Sequence, residues 1–128
     1  MAMRNPYAGL NQYKQNNIIQ ASREGLTLML FNGIIKFISQ AKIHVDNKSI
    51  ENAHNAIIRA DDIIIELNST LDMQYDISKN LRSLYFYMSK RLADANMRKD
   101  KEILDEVLEL VTELRDTWKE AMEIANKK

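Results

Sequence analysis

Apolar residues recur at steps of three and four along most of the chain, which is the spacing of an α-helix with one buried face. Four such segments follow one another after residue 22. They run from about Arg23 to Val45, Ile50 to Leu71, Ile77 to Met97 and Lys101 to Ile124. The connections are short, so neighbouring helices should be antiparallel. The pattern predicts an all-α fold, an antiparallel four-helix bundle.

The first 21 residues have a different character. They contain the only proline and one of three glycines, and they are rich in Asn and Gln. We predict that residues 1–21 form an N-terminal arm or short cap helix, and that residues 22–128 form a single-domain helical bundle. Tyr7, Leu10 and Tyr13 are spaced three apart, so one short helix could present all three to the bundle. A frayed tail with incidental tyrosines fits the same spacing.

Each helix of a bundle needs one apolar stripe for the core, and all four segments have one. The predicted core stripe of the third helix begins at Ile77. That of the fourth helix extends to Ala121 and Ala125. The fourth helix is polar on its other side, so we assign it no special role. The core stripes of the first three helices do not use all their apolar residues.

We call the apolar residues outside these core stripes the surplus residues. They are Leu28, Phe31, Ile35, Ile38, Ile58, Ile65, Phe86 and Met97. Two interpretations stay open. The surplus residues are extra core or isolated exposed side chains, which are normal, or they join into grooves that bind a partner helix. In the second case the arm could cover part of the groove until a partner displaces it.

Composition narrows the class of protein. The chain has 128 residues, 45% of them apolar and 28% charged, which fits one folded domain. Eighteen basic residues balance eighteen acidic ones, so no net field favours nucleic acid or an anionic membrane. There is no cysteine, no signal-peptide pattern and no uncharged apolar run of about 20 residues. We therefore expect a cytoplasmic protein without membrane insertion.

Residues for catalysis are sparse. Only two histidines occur, His44 and His54. Glu51 and His54 make one Glu-x-x-His motif, whereas a di-iron bundle needs two. Asp61 and Asp62 are adjacent, so their side chains point in different directions on a helix. There is also no phosphate-binding glycine loop or nucleophile elbow. The sequence predicts no enzyme, no metal or cofactor, and no small-molecule substrate.

Several stretches, in this order, resemble the family of flagellin export chaperones of the bacterial flagellum, the FliS family. They are Asn5-Pro-Tyr-Ala-Gly-Leu-Asn-Gln-Tyr13, Ser22-Arg-Glu-Gly-Leu-Thr-Leu-Met-Leu-Phe-Asn-Gly-Ile-Ile-Lys-Phe37, Ile63-Ile-Ile-Glu-Leu-Asn-Ser-Thr-Leu71, Leu84-Tyr-Phe-Tyr-Met-Ser-Lys-Arg-Leu-Ala-Asp-Ala-Asn96 and Leu114-Arg-Asp-Thr-Trp-Lys119. None is diagnostic alone, but five in the right order and spacing are specific. The chain departs from the family pattern at Phe86, where an acidic residue is expected.

The resemblance implies an antiparallel helical bundle with an N-terminal cap, and it assigns Tyr7, Leu10 and Tyr13 to that cap. It implies that the chain binds the C-terminal segment of flagellin in the cytosol. Binding would prevent premature polymerisation and present flagellin to the flagellar type III export gate, with no nucleotide or metal required. The surplus residues are then the expected groove for flagellin.

Another class of protein fits the same pattern. A structural helical bundle would homodimerise through these apolar faces, and sedimentation of the isolated protein would distinguish the two. A di-iron or other redox bundle ranks third, and metal analysis would test it.

Overall fold

The computed structural model describes residues 22–126, which contain four α-helices. They are α1 (Arg23–Asp46), α2 (Ile50–Ser69), α3 (Asp76–Arg98) and α4 (Lys101–Asn126). Every helix end lies within two residues of its predicted position. The predicted helical bundle is confirmed, while the division between an arm and the bundle stays a prediction because residues 1–21 lie outside the described part.

The turns between the helices use local backbone chemistry. Lys48, between α1 and α2, has a φ of 58°, and Lys99, between α3 and α4, has a φ of 50°. This left-handed conformation reverses the chain at a helix end. Asp100 then starts α4, because its Oδ1 accepts a hydrogen bond from the backbone N–H of Glu102 at 2.9 Å. An Asp directly before a helical segment predicts this N-cap role.

The helices pack in a ring in which each one contacts the two beside it. α1 contacts α2 and α4, and α3 contacts the same two helices. Lys101 at the start of α4 forms an ion pair with Asp46 at the end of α1, at 2.9 Å. Near the other end of α4, Trp118 Nε1 donates to the carbonyl oxygen of Glu24 at the start of α1, at 2.9 Å. These contacts make α1 and α4 antiparallel, as a simple up-and-down bundle requires.

The interior is a single apolar cluster with contributions from all four helices. Its largest fully buried side chains are Phe31, Ile34, Ile38, Ile57, Ile64, Tyr85, Met88, Leu92, Leu104, Val107 and Val111. The predicted core stripe of α4 runs through Ile103, Val107 and Val111 and does not include Leu104. Gly33 allows α1 to approach α2 closely, because a Cβ there would lie 3.0 Å from Ile63 Cδ1.

Three predicted core positions are wrong. Ile77 lies in the first turn of α3, at an open end of the bundle, and is 61% exposed. Ala121 and Ala125 are exposed as well. Trp118 is already level with Glu24 at the start of α1, so the last turns of α4 extend past Arg23, and within residues 22–126 their side chains stay largely exposed.

The apolar character of α1 has a structural reason. By length and composition it is the one described helix that would fit a membrane span. In the bundle it lies between α2 and α4, and Phe31, Ile34, Ile38 and Ala41 are at most 1% exposed. A helix that is apolar over much of its circumference is expected at such a central position.

Candidate partner-binding site

The structure divides the surplus residues into three groups. The exposed ones are Ile58 at 42%, Ile65 at 56%, Phe86 at 60% and Met97 at 83%. Leu28 and Ile35 are half-buried, and Ile35 packs against the core cluster. Phe31 and Ile38 are buried, at 1% and 0%.

The prediction that Phe31 and Ile38 lie at the surface of a groove is therefore wrong. Because α1 has a neighbour on each side, it buries two apolar stripes instead of one. The stripe with Phe31 and Ile38 faces α4, where the Phe31 ring meets Trp118 edge-on with ring centroids 6.2 Å apart. On α1 the candidate site is reduced to the partly covered Leu28 and Ile35, whose role in binding stays a prediction.

The exposed surplus residues of α2 and α3 border one seam of the bundle. We call it the α2/α3 furrow and define it by two stripes of side chains with helical spacing, one on each helix. They are His54, Ile58, Asp61, Ile65 and Asn68 on α2, and Arg82, Phe86, Ser89, Ala93 and Asn96 on α3. Met97 continues the line of Phe86 and Ala93 just beyond this seam.

Two hydrogen bonds fix the ends of the furrow. Asn96 Nδ2 lies 2.8 Å from His54 Nδ1 at one end. Arg82 Nε donates to Asn68 Oδ1 at 3.2 Å at the other. Each pair joins the two helices, so together they set an antiparallel register along about four helical turns. Sequence reasoning had selected Ile58, Ile65 and Phe86 but missed these polar ends, which the same spacing of three and four would have found.

The middle of the furrow is largely apolar. Ile58 and Ile65 project from α2, while Phe86 and the small Ala93 lie on α3. Asp61 lies seven residues from each fixed end of the α2 stripe, and its Oδ1 is buried without a hydrogen-bond partner among residues 22–126. The furrow therefore combines exposed apolar area with one unsatisfied acceptor.

Charged groups bridge two other seams. Lys42 and Lys101 pair with Asp105 and Asp46 across α1 and α4. Across α3 and α4, Glu106 accepts hydrogen bonds from Arg91 Nε at 2.7 Å and from the Tyr87 hydroxyl at 2.9 Å.

Both bonds to Glu106 favour its ionised form. The hydrogen bond from Arg91 has the larger effect and the one from Tyr87 the smaller. Together they hold the pKa of Glu106 below its usual value. The hydrogen bond from the Tyr87 hydroxyl to Glu106 also raises the pKa of Tyr87, because it favours the protonated phenol. These polar seams offer little apolar area to a partner.

An open cavity of about 390 Å³ lies at the end of the bundle where α1 and α3 begin. Leu67 and Leu81 in its wall are the chain neighbours of Asn68 and Arg82. Its apolar lining comes from Leu26, Leu30, Leu67, Leu71, Tyr75, Ile77, Leu81, Tyr85 and Trp118. Glu24, Glu66 and Asp72 make its wall acidic, with Arg23 as the one basic group among its described lining residues. A long partner segment in the furrow would reach this cavity.

The described residues contain no group of three or more His, Asp and Glu side chains that could hold a metal ion. His54, the histidine of the Glu-x-x-His motif, instead contacts Asn96. The predicted cap residues Tyr7, Leu10 and Tyr13 lie outside the described residues, so their role stays a prediction.

Comparison with known sequences identifies one kind of protein. The family model described as "Flagellar protein FliS" matches residues 3–125. The "Flagellar secretion chaperone FliS" of Bacillus subtilis is 40% identical over 127 residues, which cover 99% of this chain and 93% of that protein. The protein of the same name from Vibrio cholerae is 33% identical over 115 residues and covers 85% of each chain.

A solved structure has the same fold. It is titled "Crystal structure of flagellar chaperone from bacteria" and aligns with a TM-score of 0.75 over 90% of this chain and 95% of its own. The two sequences are 18% identical. At this low identity, the similarity shows a shared arrangement of helices and nothing more.

Proposed function

The chain belongs to the FliS family, and on this premise we propose that it is a cytosolic export chaperone that binds the C-terminal segment of flagellin. Its relatives are named flagellar secretion chaperones. In this proposal the chain prevents premature polymerisation of flagellin and delivers it to the flagellar type III export gate. It acts by binding alone, without catalysis or a cofactor.

One observation carries the proposal. Ile58, Ile65 and Phe86 are about half exposed, yet they lie along one seam with a defined register. Contiguous exposed apolar area on a small protein is typical of an interaction surface. Partner helices bind such surfaces through apolar side chains spaced three, four and seven residues apart. Ile58 and Ile65 are seven residues apart and match that spacing.

The energetics suit a complex that must later release its client. Full burial of an Ile or Phe side chain contributes roughly 1.5–3 kcal/mol, so burial of the half that is still exposed contributes about 1 kcal/mol for each residue. Ordering a disordered client commonly offsets about 2–5 kcal/mol. The furrow alone would bind weakly, and contacts with Leu28, Ile35, Met97 and the end cavity would add affinity.

Chromatography of a mixture with the C-terminal segment of flagellin tests the proposal. With light scattering to give the mass, we expect a monomer that forms a one-to-one complex. A tight homodimer that does not bind the segment would instead support the structural bundle. Filament formation by full-length flagellin should also be slower when the chain is present at equal concentration. An unchanged rate would contradict the proposed chaperone activity.

A further inference from the structure

We propose that the client segment in the α2/α3 furrow carries a Lys or Arg between two apolar anchors, and that Asp61 accepts a hydrogen bond from it. This inference rests on the proposed function, because it names the chemistry that the furrow recognises. Asp61 is then a specificity-determining residue for the client.

The first observation is the unsatisfied carboxylate oxygen. Asp61 Oδ1 is buried, and no donor among residues 22–126 lies within hydrogen-bond distance of it. Ser89 is seven residues from each fixed end of the α3 stripe, so the register places it opposite Asp61, but no hydrogen bond joins the two. Buried acceptors without a partner are uncommon in native proteins, because they lose water and gain nothing.

The second observation is the position of Asp61 among the apolar residues. It follows Ile58 by three residues and precedes Ile65 by four on the same stripe. A helix that follows this stripe with apolar side chains at positions i and i+7 would contact both isoleucines. Its residue at i+3 or i+4 would then lie over Asp61.

Charge selects the kind of donor. Asp61 is itself an anionic acceptor, whereas Asp62 and Glu66 point about 100° and about 140° round α2 from it and do not face the same seam. A carboxylate acceptor favours a cation over a neutral donor, because opposite charges attract across an interface. Charge-assisted hydrogen bonds to a carboxylate are also shorter and stronger than neutral ones.

This arrangement links stability to binding. In the free protein the unsatisfied oxygen lowers stability, whereas in the complex a turn of the carboxylate about its Cβ–Cγ bond brings this oxygen to the client cation. A variant that removes the carboxylate should therefore be more stable but bind more weakly. A purely structural residue would not show opposite changes in these two measurements.

The test compares Asp61→Leu, Asp61→Asn and the double variant Ile58→Asp/Ile65→Asp in the full chain. Calorimetry measures the affinity for the C-terminal segment of flagellin, and thermal unfolding measures stability. We expect Asp61→Leu to raise Tm by about 3–5 °C and to weaken binding about tenfold or more. Asp61→Asn keeps an acceptor and should weaken binding less.

A second measurement identifies the donor. Each Lys and Arg of the client segment is replaced by Leu and tested against the wild-type chain and Asp61→Leu. We expect one replacement that weakens binding to the wild type but has little further effect on Asp61→Leu, as a double-mutant cycle requires. Additive effects for every cation would overturn the inference.

The outcomes separate the inference from the proposed function. If Asp61→Leu binds as tightly as the wild type or more tightly while Ile58→Asp/Ile65→Asp loses binding, the furrow remains the site and the inference is wrong. If the double variant also binds normally, the client does not use the furrow, and both the furrow site and the inference are wrong.

Discussion

The Phe31 ring on α1 meets the indole of Trp118 on α4 edge-on, with ring centroids 6.2 Å apart. The Trp118 indole also donates a hydrogen bond to the Glu24 carbonyl oxygen at 2.9 Å. This pair holds α1 against α4 and explains why a side chain that seemed available to a partner belongs to the interior.

Truncation of Phe31 should therefore affect stability. We expect Phe31→Ala to lower the free energy of unfolding by about 3–5 kcal/mol, as large-to-small changes in packed cores do. Phe86→Ala is the matched control and should lower it by less than about 1 kcal/mol, because Phe86 is 60% exposed. Urea unfolding followed by circular dichroism measures both. Equal effects of the two substitutions would contradict the assignment of Phe31 to the core.

The buried phenol of Tyr85 should make the free energy of unfolding fall at alkaline pH. Burial raises the pKa of Tyr85 to about 12. Between about pH 10 and pH 12 the unfolded chain ionises this phenol while the folded chain keeps it protonated, so the unfolded state gains about 2–3 kcal/mol from this one group. Below pH 10 both states are protonated and the stability is unaffected.

The measurement is the pH dependence of unfolding in Tyr85→Phe. The variant should match the wild type near neutral pH and lose less stability between about pH 10 and pH 12. Tyr75→Phe serves as control, because Tyr75 is exposed, and should follow the wild type throughout. A Tyr85→Phe curve parallel to the wild type would show that Tyr85 ionises normally in the fold.

Removal of residues 1–17 tests the predicted cap. The helices of residues 22–126 make a core of their own, so we expect the truncated chain to keep its helicity. If the arm covers apolar surface, the truncated chain should bind more anilinonaphthalene sulfonate, a dye that fluoresces on such surface. Circular dichroism confirms folding before the dye is added. A dye signal equal to that of the full chain would contradict the cap.

The helices were predictable because their signal is local. Spacing of three and four defines a stripe within one helix, and Asp100 marks the start of α4 by its own chemistry. Which helix packs against which stripe, in contrast, depends on residues far apart in the chain. The stripe that contains Phe31 and Ile38 looks like surplus until α4 covers it, and Leu104 joins the core because α4 has two neighbours.

The site was partly predictable for the same reason. Ile58, Ile65 and Phe86 face away from the core stripe of their own helices, which made them candidates for a partner surface, although extra core stayed open as the alternative. The register between α2 and α3 depends on hydrogen bonds between residues far apart in the chain, such as His54 with Asn96. Without that register, the placement of Asp61 in the middle of an apolar seam was not visible.

The affinity of the C-terminal segment of flagellin for Ile58→Asp/Ile65→Asp tests the central claim most directly. We predict binding weaker by about 100-fold or more, because two carboxylates would be buried against the client without partners. Ile43→Asp/Ile124→Asp is the matched control, since Ile43 and Ile124 are 58% and 56% exposed and lie outside the furrow. The control should bind like the wild type, and both variants should keep their helicity by circular dichroism. Wild-type affinity in Ile58→Asp/Ile65→Asp would contradict the claim that the α2/α3 furrow holds the client.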